Sequence, residues 1–138
     1  MPTSSLLELG GQRIVVDCGL GVTGRLVQAG VDLKSLDTII ITHLHSDHYL
    51  ELGPLLHTAW TAGLTKQVTI IGPDALADYW RAFLQSMVFD IDLRVADEGR
   101  PPLAGLVGIQ PMQPERKIGS VTLKTCRNNH RLTACLKA

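Results

Sequence analysis

Short apolar runs, separated by turn residues and helical patterns, make up most of the chain. Residues 13–16 (RIVV), 38–41 (TIII) and 68–71 (VTII) are nearly continuous apolar and β-branched, which is typical of strands buried on both faces. Apolar residues at helical spacing predict three helices, over residues 23–29, 49–62 and about 72–87. Strands that alternate with helices in this rhythm predict an α/β fold.

The carboxyl-terminal third has weaker patterns. Residues 91–95 alternate apolar and polar positions, which predicts a strand, and so do residues 120–126 (SVTLKTC). Residues 132–137 could form a last strand. Prolines and glycines from 101 to 114 indicate a loop-rich connection between these elements. We find no internal repeat and no linker, so residues 1–138 are expected to form a single domain.

Composition narrows the class of protein. The chain has 138 residues, of which 45% are hydrophobic and 19% are charged, as in a globular domain with one core. Thirteen basic and thirteen acidic residues cancel, and no lysine or arginine run marks a nucleic-acid or membrane surface. Three cysteines without a CxxC pair argue against a disulfide framework. With no apolar stretch of about 20 residues, we expect a soluble, cytoplasmic protein without a membrane partner.

The densest chemistry lies in the stretch THLHSDH, residues 42–48, directly after the second apolar run. In an extended segment, residues two apart point the same way, so His43 and His45 can present their rings to one point. Asp47 and His48 follow at the start of the next helix, which Ser46 is placed to cap, and would face a neighbouring point. Two adjacent pairs of imidazole and carboxylate donors suit two metal ions, with zinc, iron and manganese all open.

This pattern, HxHxDH after a buried strand, resembles the signature of the metallo-β-lactamase fold superfamily. The segment GGQRIVVDCG resembles the strand and aspartate-containing turn that precede the signature in that family. Together, THLHSDH and VTIIGP are most similar to the ribonuclease Z and arylsulfatase-like branch. The resemblance implies an αβ/βα sandwich. Residues 1–138 would carry its amino-terminal half as one incomplete domain, with one mixed β-layer and flanking helices.

The resemblance also implies a set of site residues. It implies five metal ligands, which are His43, His45, Asp47, His48 and His130. The first two would bind one zinc ion and the next two a second, with manganese or iron as alternatives. Asp47 would also be catalytic, and Asp17 would lie behind the ligands and orient their histidines by hydrogen bonding. From the residues alone, a turn-forming aspartate is nearly as good an interpretation of Asp17, and His130 would more often be an ordinary loop histidine.

The implied activity is hydrolysis of a phosphodiester, in a small molecule or in RNA, by a hydroxide that the metals share. Lactone, sulfate ester and β-lactam substrates remain open. A non-catalytic metal-binding fragment and an iron-dependent redox protein are further alternatives. Two features depart from the family: Glu51 stands where glycine is usual, and the chain ends before the family's bridging aspartate and last histidine.

A domain with only the first β-layer would leave one sheet face uncovered. The apolar residues that could form this face are Ile14, Val16, Ile39, Ile41 and Val68. Because buried apolar surface is worth about 25 cal/mol per Å², exposing such a face would cost several kcal/mol. We therefore expect either that residues 1–138 are part of a longer protein or that they form a homo-oligomer. The isolated chain is expected to be oligomeric and to have little activity on phosphodiesters.

Overall fold

A five-stranded mixed sheet forms the centre of the fold. The computed structural model describes the backbone of residues 3–127 and 134–137 and the side chains of residues 3–126. The strands are β1 (Ser5–Leu9), β2 (Gln12–Val16), β3 (Thr38–Ile40), β4 (Val68–Gly72) and β5 (Val107–Pro111), in that spatial order. The hairpin β1–β2 is antiparallel, whereas β2 to β5 run parallel. The predicted α/β architecture is confirmed.

Five helices connect the strands within the described residues. They are α1 (Val22–Gln28), α2 (Ser46–Tyr49), α3 (Leu52–Thr61), α4 (Leu76–Ser86) and α5 (Val88–Glu98). Short 3₁₀ turns occupy Leu33–Ser35 and Leu103–Leu106. The helices cover one face of the sheet, onto which Val15, Ile39 and Ile70 project with no exposed surface. In the described part of the chain, no helix has the length and apolar character needed to cross a membrane.

The opposite face of the sheet is covered by a second, smaller sheet. Its antiparallel strands are β6 (Glu115–Ile118), β7 (Val121–Arg127) and β8 (Ala134–Lys137). Ile14, Ile40 and Ile71 form a buried cluster with Leu123 of β7. This corrects the expectation of a bare sheet face and removes the reason for expecting oligomers. Since side chains alternate along a strand, Ile39, Ile41 and Val68 instead face the helices.

The predicted strand at residues 91–95 is wrong, because these residues belong to α5. Ile91 and Val95 are four apart, so both reach the core from one helix face. Arg94 pairs with Asp90 on one side and with Glu98 on the other, at 3.0 Å each and at helical spacing. Gly99, with φ of 64°, ends the helix.

Two further predictions are corrected. The connection at 101–114 holds β5, which pairs with β4 and lies too close to prolines and glycines to show a strand pattern. The helix predicted at 49–62 is divided into α2 and α3 around Glu51. Strands β1 and β6 were not predicted, although Gly10-Gly11, both at positive φ, is a typical hairpin turn.

Candidate metal centre

The site lies where the parallel strands β2 and β3 end at the same edge of the sheet. Asp17 follows β2, and its backbone N–H donates to the carbonyl of Ile40 at 2.7 Å. Asp17 is buried and has φ of 63°, a left-handed conformation that aspartate tolerates better than most residues. The turn therefore directs the Asp17 carboxylate into the segment that follows β3.

The Asp17 carboxylate contacts three donor groups. Its Oδ1 accepts the backbone N–H of Thr42 at 2.8 Å, and both its oxygens lie 2.9 Å from the Thr42 hydroxyl. Its Oδ2 lies 2.7 Å from Nδ1 of His48. A buried carboxylate needs such partners, because an unpaired charge is costly away from water. Asp17 thus joins the end of β2 to both ends of the THLHSDH segment.

The two histidines that follow β3 present nitrogens to each other. Nε2 of His43 lies 3.1 Å from Nδ1 of His45, and Nδ1 of His43 lies 3.0 Å from Oγ1 of Thr42. The ring of His43 also lies beside that of His48, with 3.9 Å between the ring centres. His43 is 9% exposed and lies at the floor of the site, whereas His45 is exposed and lies on its solvent side.

Asp47 and His48 lie on the single turn of α2. Nε2 of His48 is 3.7 Å from Oδ2 of Asp47, whose side chain is 47% exposed. The predicted capping role of Ser46 is wrong: His45 precedes the helix, Ser46 is its first residue, and no side chain within the described range caps it. Asp47 therefore faces the solvent side of the cluster, while His48 lies against Asp17.

Glu51 holds the end of this segment onto α1. Its carboxylate accepts the backbone N–H groups of Gly21 at 2.5 Å and Thr23 at 2.9 Å, at the amino terminus of the helix. Burial by itself would raise the pKa of Glu51, but these donors, first Thr23 and then Gly21, hold it below its usual value. The Glu51 backbone N–H also donates to the carbonyl of Cys18 at 2.9 Å.

Gly19 allows a close approach of three chain segments. A Cβ atom at this position would lie 2.3 Å from the carbonyl oxygen of Asp47 and 2.6 Å from the backbone nitrogen of Thr3. Thr3 donates its N–H to the same Asp47 carbonyl at 2.9 Å and accepts the N–H of Gly19 at 3.0 Å. Any side chain at Gly19 would therefore displace the backbone that carries Asp47.

The donor atoms suit metal binding in pairs. Two nitrogens on one tetrahedral zinc, each at about 2.05 Å, lie about 3.3 Å apart, close to the 3.1 Å between the His43 and His45 nitrogens. His48 and Asp47 form the second pair. Over residues 3–126, where side chains are described, no three His, Cys, Asp or Glu groups are arranged to hold one ion. His130, the fifth predicted ligand, lies outside the described residues.

Other histidine, tryptophan and cysteine side chains make structural contacts. Nε2 of His57 lies 2.8 Å from Asp90 and joins α3 to α5. The Trp60 indole donates to the carbonyl of Pro101 at 2.9 Å, and Trp80 packs in the core. Burial, reinforced by neighbouring carboxylates, raises the pKa of the Cys18 thiol well above its usual value, so it is a neutral core residue.

Sequence comparison assigns the family. The model of the metallo-β-lactamase superfamily matches residues 1–110, and the chain belongs to this superfamily. It is 43% identical over 95 residues to ribonuclease Z of Mycobacterium sp. (strain KMS), which covers 67% of this chain and 33% of that protein. It is 41% identical over 105 residues to ribonuclease Z of Mycobacterium avium (strain 104), and the match covers 72% of this chain and 38% of that protein. The chain thus spans about a third of these relatives.

Solved structures show the same fold. The metallo-β-lactamase fold protein YhfI from Bacillus subtilis superimposes with a TM-score of 0.71 at 22% identity, over 98% of this chain and 49% of that one. The short form of human tRNase Z superimposes with a TM-score of 0.71 at 19% identity, over 96% of this chain and 56% of that one. The family and fold inferred from the signature are confirmed.

Proposed function

We propose that this chain provides the metal-binding part of a metal-dependent hydrolase that cleaves phosphodiester bonds, with RNA as the substrate class. The observation that carries the proposal is the pairing of donor atoms, with His43 and His45 nitrogens 3.1 Å apart beside the Asp47–His48 pair. Similarity to ribonuclease Z, at 43% identity over the matched segment, supports phosphodiesters over lactone, sulfate ester or β-lactam substrates.

Each donor has a proposed role. Nε2 of His43 and Nδ1 of His45 would hold one ion, and Asp47 with Nε2 of His48 would hold a second. His130 is the proposed fifth ligand. The donor set of neutral imidazole and carboxylate suits zinc, with manganese or iron as alternatives. When bound, such ions lower the pKa of a coordinated water and neutralise negative charge that develops on a phosphoryl group.

Asp17 would hold His48 in the orientation and tautomer that metal binding requires. A carboxylate only accepts, so Nδ1–H of His48 would donate its hydrogen bond to Asp17, which leaves the lone pair of Nε2 on the side of Asp47. A carboxylate behind a ligand histidine fixes both the tautomer and the ring orientation. This contact supports the role that the resemblance implied for Asp17.

Asp47 would act on the attacking water as well as on a metal ion. Its side chain is half exposed at the carboxyl-terminal edge of the parallel strands, where substrates bind in open α/β sheets. From that position its carboxylate can accept a hydrogen bond from water and orient the oxygen toward phosphorus. The backbone contacts at Thr3 and Gly19 keep this residue in place.

A chimera tests the proposed activity. The segment of the Mycobacterium avium ribonuclease Z that aligns with this chain is replaced by the matching residues of this chain, and cleavage of that enzyme's RNA substrate is measured. The proposal predicts metal-dependent cleavage by the chimera and a loss of at least about 100-fold on Asp47→Asn, which removes the charge of a metal ligand and water-orienting group. The matched control, Asp92→Asn, changes an exposed aspartate of α5 and should cleave at the chimera's own rate.

The outcomes separate function from metal binding. A chimera that is folded and binds zinc but cleaves no RNA would favour the non-catalytic metal-binding alternative. A chimera whose Asp47→Asn variant remains fully active would contradict the role of Asp47. Zinc content is measured on the same samples, so that loss of metal and loss of chemistry are distinguished.

A further inference from the structure

A single hydroxyl group lies between Asp17 and His43. Oγ1 of Thr42 is 2.9 Å from both carboxylate oxygens of Asp17 and 3.0 Å from Nδ1 of His43. A threonine hydroxyl has one proton to donate and lone pairs to accept with. It can therefore donate to only one of these two partners, and the other must donate to it or remain unsatisfied.

The Asp17 carboxylate determines to which partner the Thr42 hydroxyl donates its hydrogen bond. The oxygens of a carboxylate only accept, so a hydroxyl placed 2.9 Å from both must point its proton at them. If the Thr42 proton pointed at His43 instead, oxygen lone pairs would face each other inside a buried site, which is unfavourable. With the hydroxyl proton on the Asp17 side, the remaining lone pair of Thr42 faces Nδ1 of His43, and that nitrogen must carry a proton.

We infer that Thr42 is a positioning residue that fixes the tautomer of His43. Its hydroxyl donates to the Asp17 carboxylate and accepts a hydrogen bond from Nδ1–H of His43, so it acts as a relay between the two. The proton stays on Nδ1 of His43, and the lone pair stays on Nε2, the atom that lies 3.1 Å from His45. Asp17 then fixes the tautomers of two histidines, that of His48 by direct contact and that of His43 through Thr42. One carboxylate prepares one nitrogen in each donor pair.

The backbone holds Thr42 in register for this role. Its N–H donates to Oδ1 of Asp17 at 2.8 Å, and the N–H of the preceding Ile41 donates to the carbonyl of Ile71 at 2.9 Å. Ile41 is fully buried against the helices. The hydroxyl is therefore placed by the sheet, and a side chain of the same shape without the hydroxyl would leave the backbone in place while removing the relay.

The test uses nitrogen-15 labelled chain without metal. Long-range proton–nitrogen spectra, recorded at mildly alkaline pH, distinguish a protonated ring nitrogen from one with a free lone pair. Wild type is compared with Thr42→Val, which lacks the hydroxyl, and Thr42→Ser, which keeps it. The matched control is Thr38→Val, a buried threonine on β3.

The inference predicts that wild type, Thr42→Ser and Thr38→Val all show His43 protonated at Nδ1, and that Thr42→Val shifts proton population to Nε2. His48 should stay protonated at Nδ1 in all four proteins, since Asp17 holds it directly. A wild-type His43 protonated at Nε2 would overturn the inference without reference to any variant. So would a folded Thr42→Val with His43 unchanged, or a Thr42→Ser that behaves like Thr42→Val.

The consequence for metal binding rests on the proposed function and is measured separately. Thr42→Val should bind zinc about 10- to 100-fold more weakly than wild type, the usual effect of removing a group that orients a ligand. Thr42→Ser should bind within about threefold of wild type. If the tautomers are as predicted but wild type binds no zinc, the proposed function fails and the role of Thr42 stands. If wild type binds zinc but the tautomers differ from those predicted, the inference about Thr42 fails and the proposed function stands.

Discussion

Oδ2 of Asp17 and Nδ1 of His48 lie 2.7 Å apart, although 31 residues separate them in the sequence. Asp17 follows β2 and His48 lies on the turn of α2 after β3, so the parallel pairing of the two strands brings them together. This contact determines which nitrogen of His48 faces the cluster. It connects the strand order of the sheet to the chemistry at its edge.

Replacing Asp17 with asparagine should weaken zinc binding by about 10- to 100-fold. Asparagine tolerates the left-handed backbone at this position. Its amide, however, can donate to Nδ1 of His48 and drive the ring proton onto Nε2, the nitrogen needed for the metal. Calorimetric titration with zinc measures the effect. Asp92→Asn, on the exposed side of α5, is the control and should bind like wild type.

Replacing Gly19 with alanine should lower both stability and metal affinity. The new Cβ would lie 2.3 Å from the Asp47 carbonyl oxygen, so backbone has to move, at about 1–3 kcal/mol. Gly24→Ala is the control: it lies within α1 with open space around its Cβ position, and should stabilise by about 0.5–1 kcal/mol. Urea unfolding checks both, and equal midpoints for the two variants would contradict the close approach.

Glu51→Gln should remove a pH-dependent contribution to stability. The pKa of Glu51 is held below its usual value, so the charged form stabilises the fold above that usual value, about 4.3, and the contribution is lost as pH falls through the folded-state pKa. Unfolding by urea should show Glu51→Gln less stable than wild type at about pH 7, with the difference shrinking toward about pH 3.

The control for this prediction is Glu8→Gln, which alters an exposed ion pair with Arg13. Such pairs contribute about 0–1 kcal/mol, so this variant should stay close to wild type at neutral pH. A difference between wild type and Glu51→Gln that stays constant or grows on acidification would show that Glu51 does not act through its charge on α1.

Leu123→Ala should destabilise the chain by about 2–5 kcal/mol, because Leu123 fills the layer between the two sheets against Ile14, Ile40 and Ile71. Leu93→Ala, on α5 with 48% of the residue exposed, should change stability by about 0.5 kcal/mol or less. Similar unfolding midpoints for the two variants would mean that the second sheet does not cover this face.

The sequence was sufficient where local pattern and tertiary environment agree. Strands β2, β3 and β4 are buried on both faces, so each is a nearly continuous apolar run, and all three were predicted within two residues. The alternation at 91–95 led to a wrong prediction of a strand, because helix and strand periods cannot be distinguished in so short a segment. Only the charge pairs at four-residue spacing, Asp90 with Arg94 and Arg94 with Glu98, indicated the helix.

The sequence indicates which residues belong to the candidate site, but it does not indicate the contacts between them. The HxHxDH spacing predicts the metal-binding residues, but no sequence pattern shows that Thr42 lies between Asp17 and His43, since that depends on the parallel register of β2 and β3. The unusual Glu51 was visible in the sequence as a departure from the family. Its role, capping a helix whose first residues lie 28 to 30 positions away, requires the folded chain.

The central claim is that the His43–His45 and Asp47–His48 pairs hold divalent metal. The most direct measurement is the metal content of the purified chain by elemental analysis, for wild type, His45→Ala and the control His57→Ala, whose histidine joins α3 to α5 away from the cluster. The account predicts that wild type and His57→Ala carry the same amount of zinc, manganese or iron, and that His45→Ala loses most of it. Equal metal content in wild type and His45→Ala, or no metal in any of the three, would contradict it.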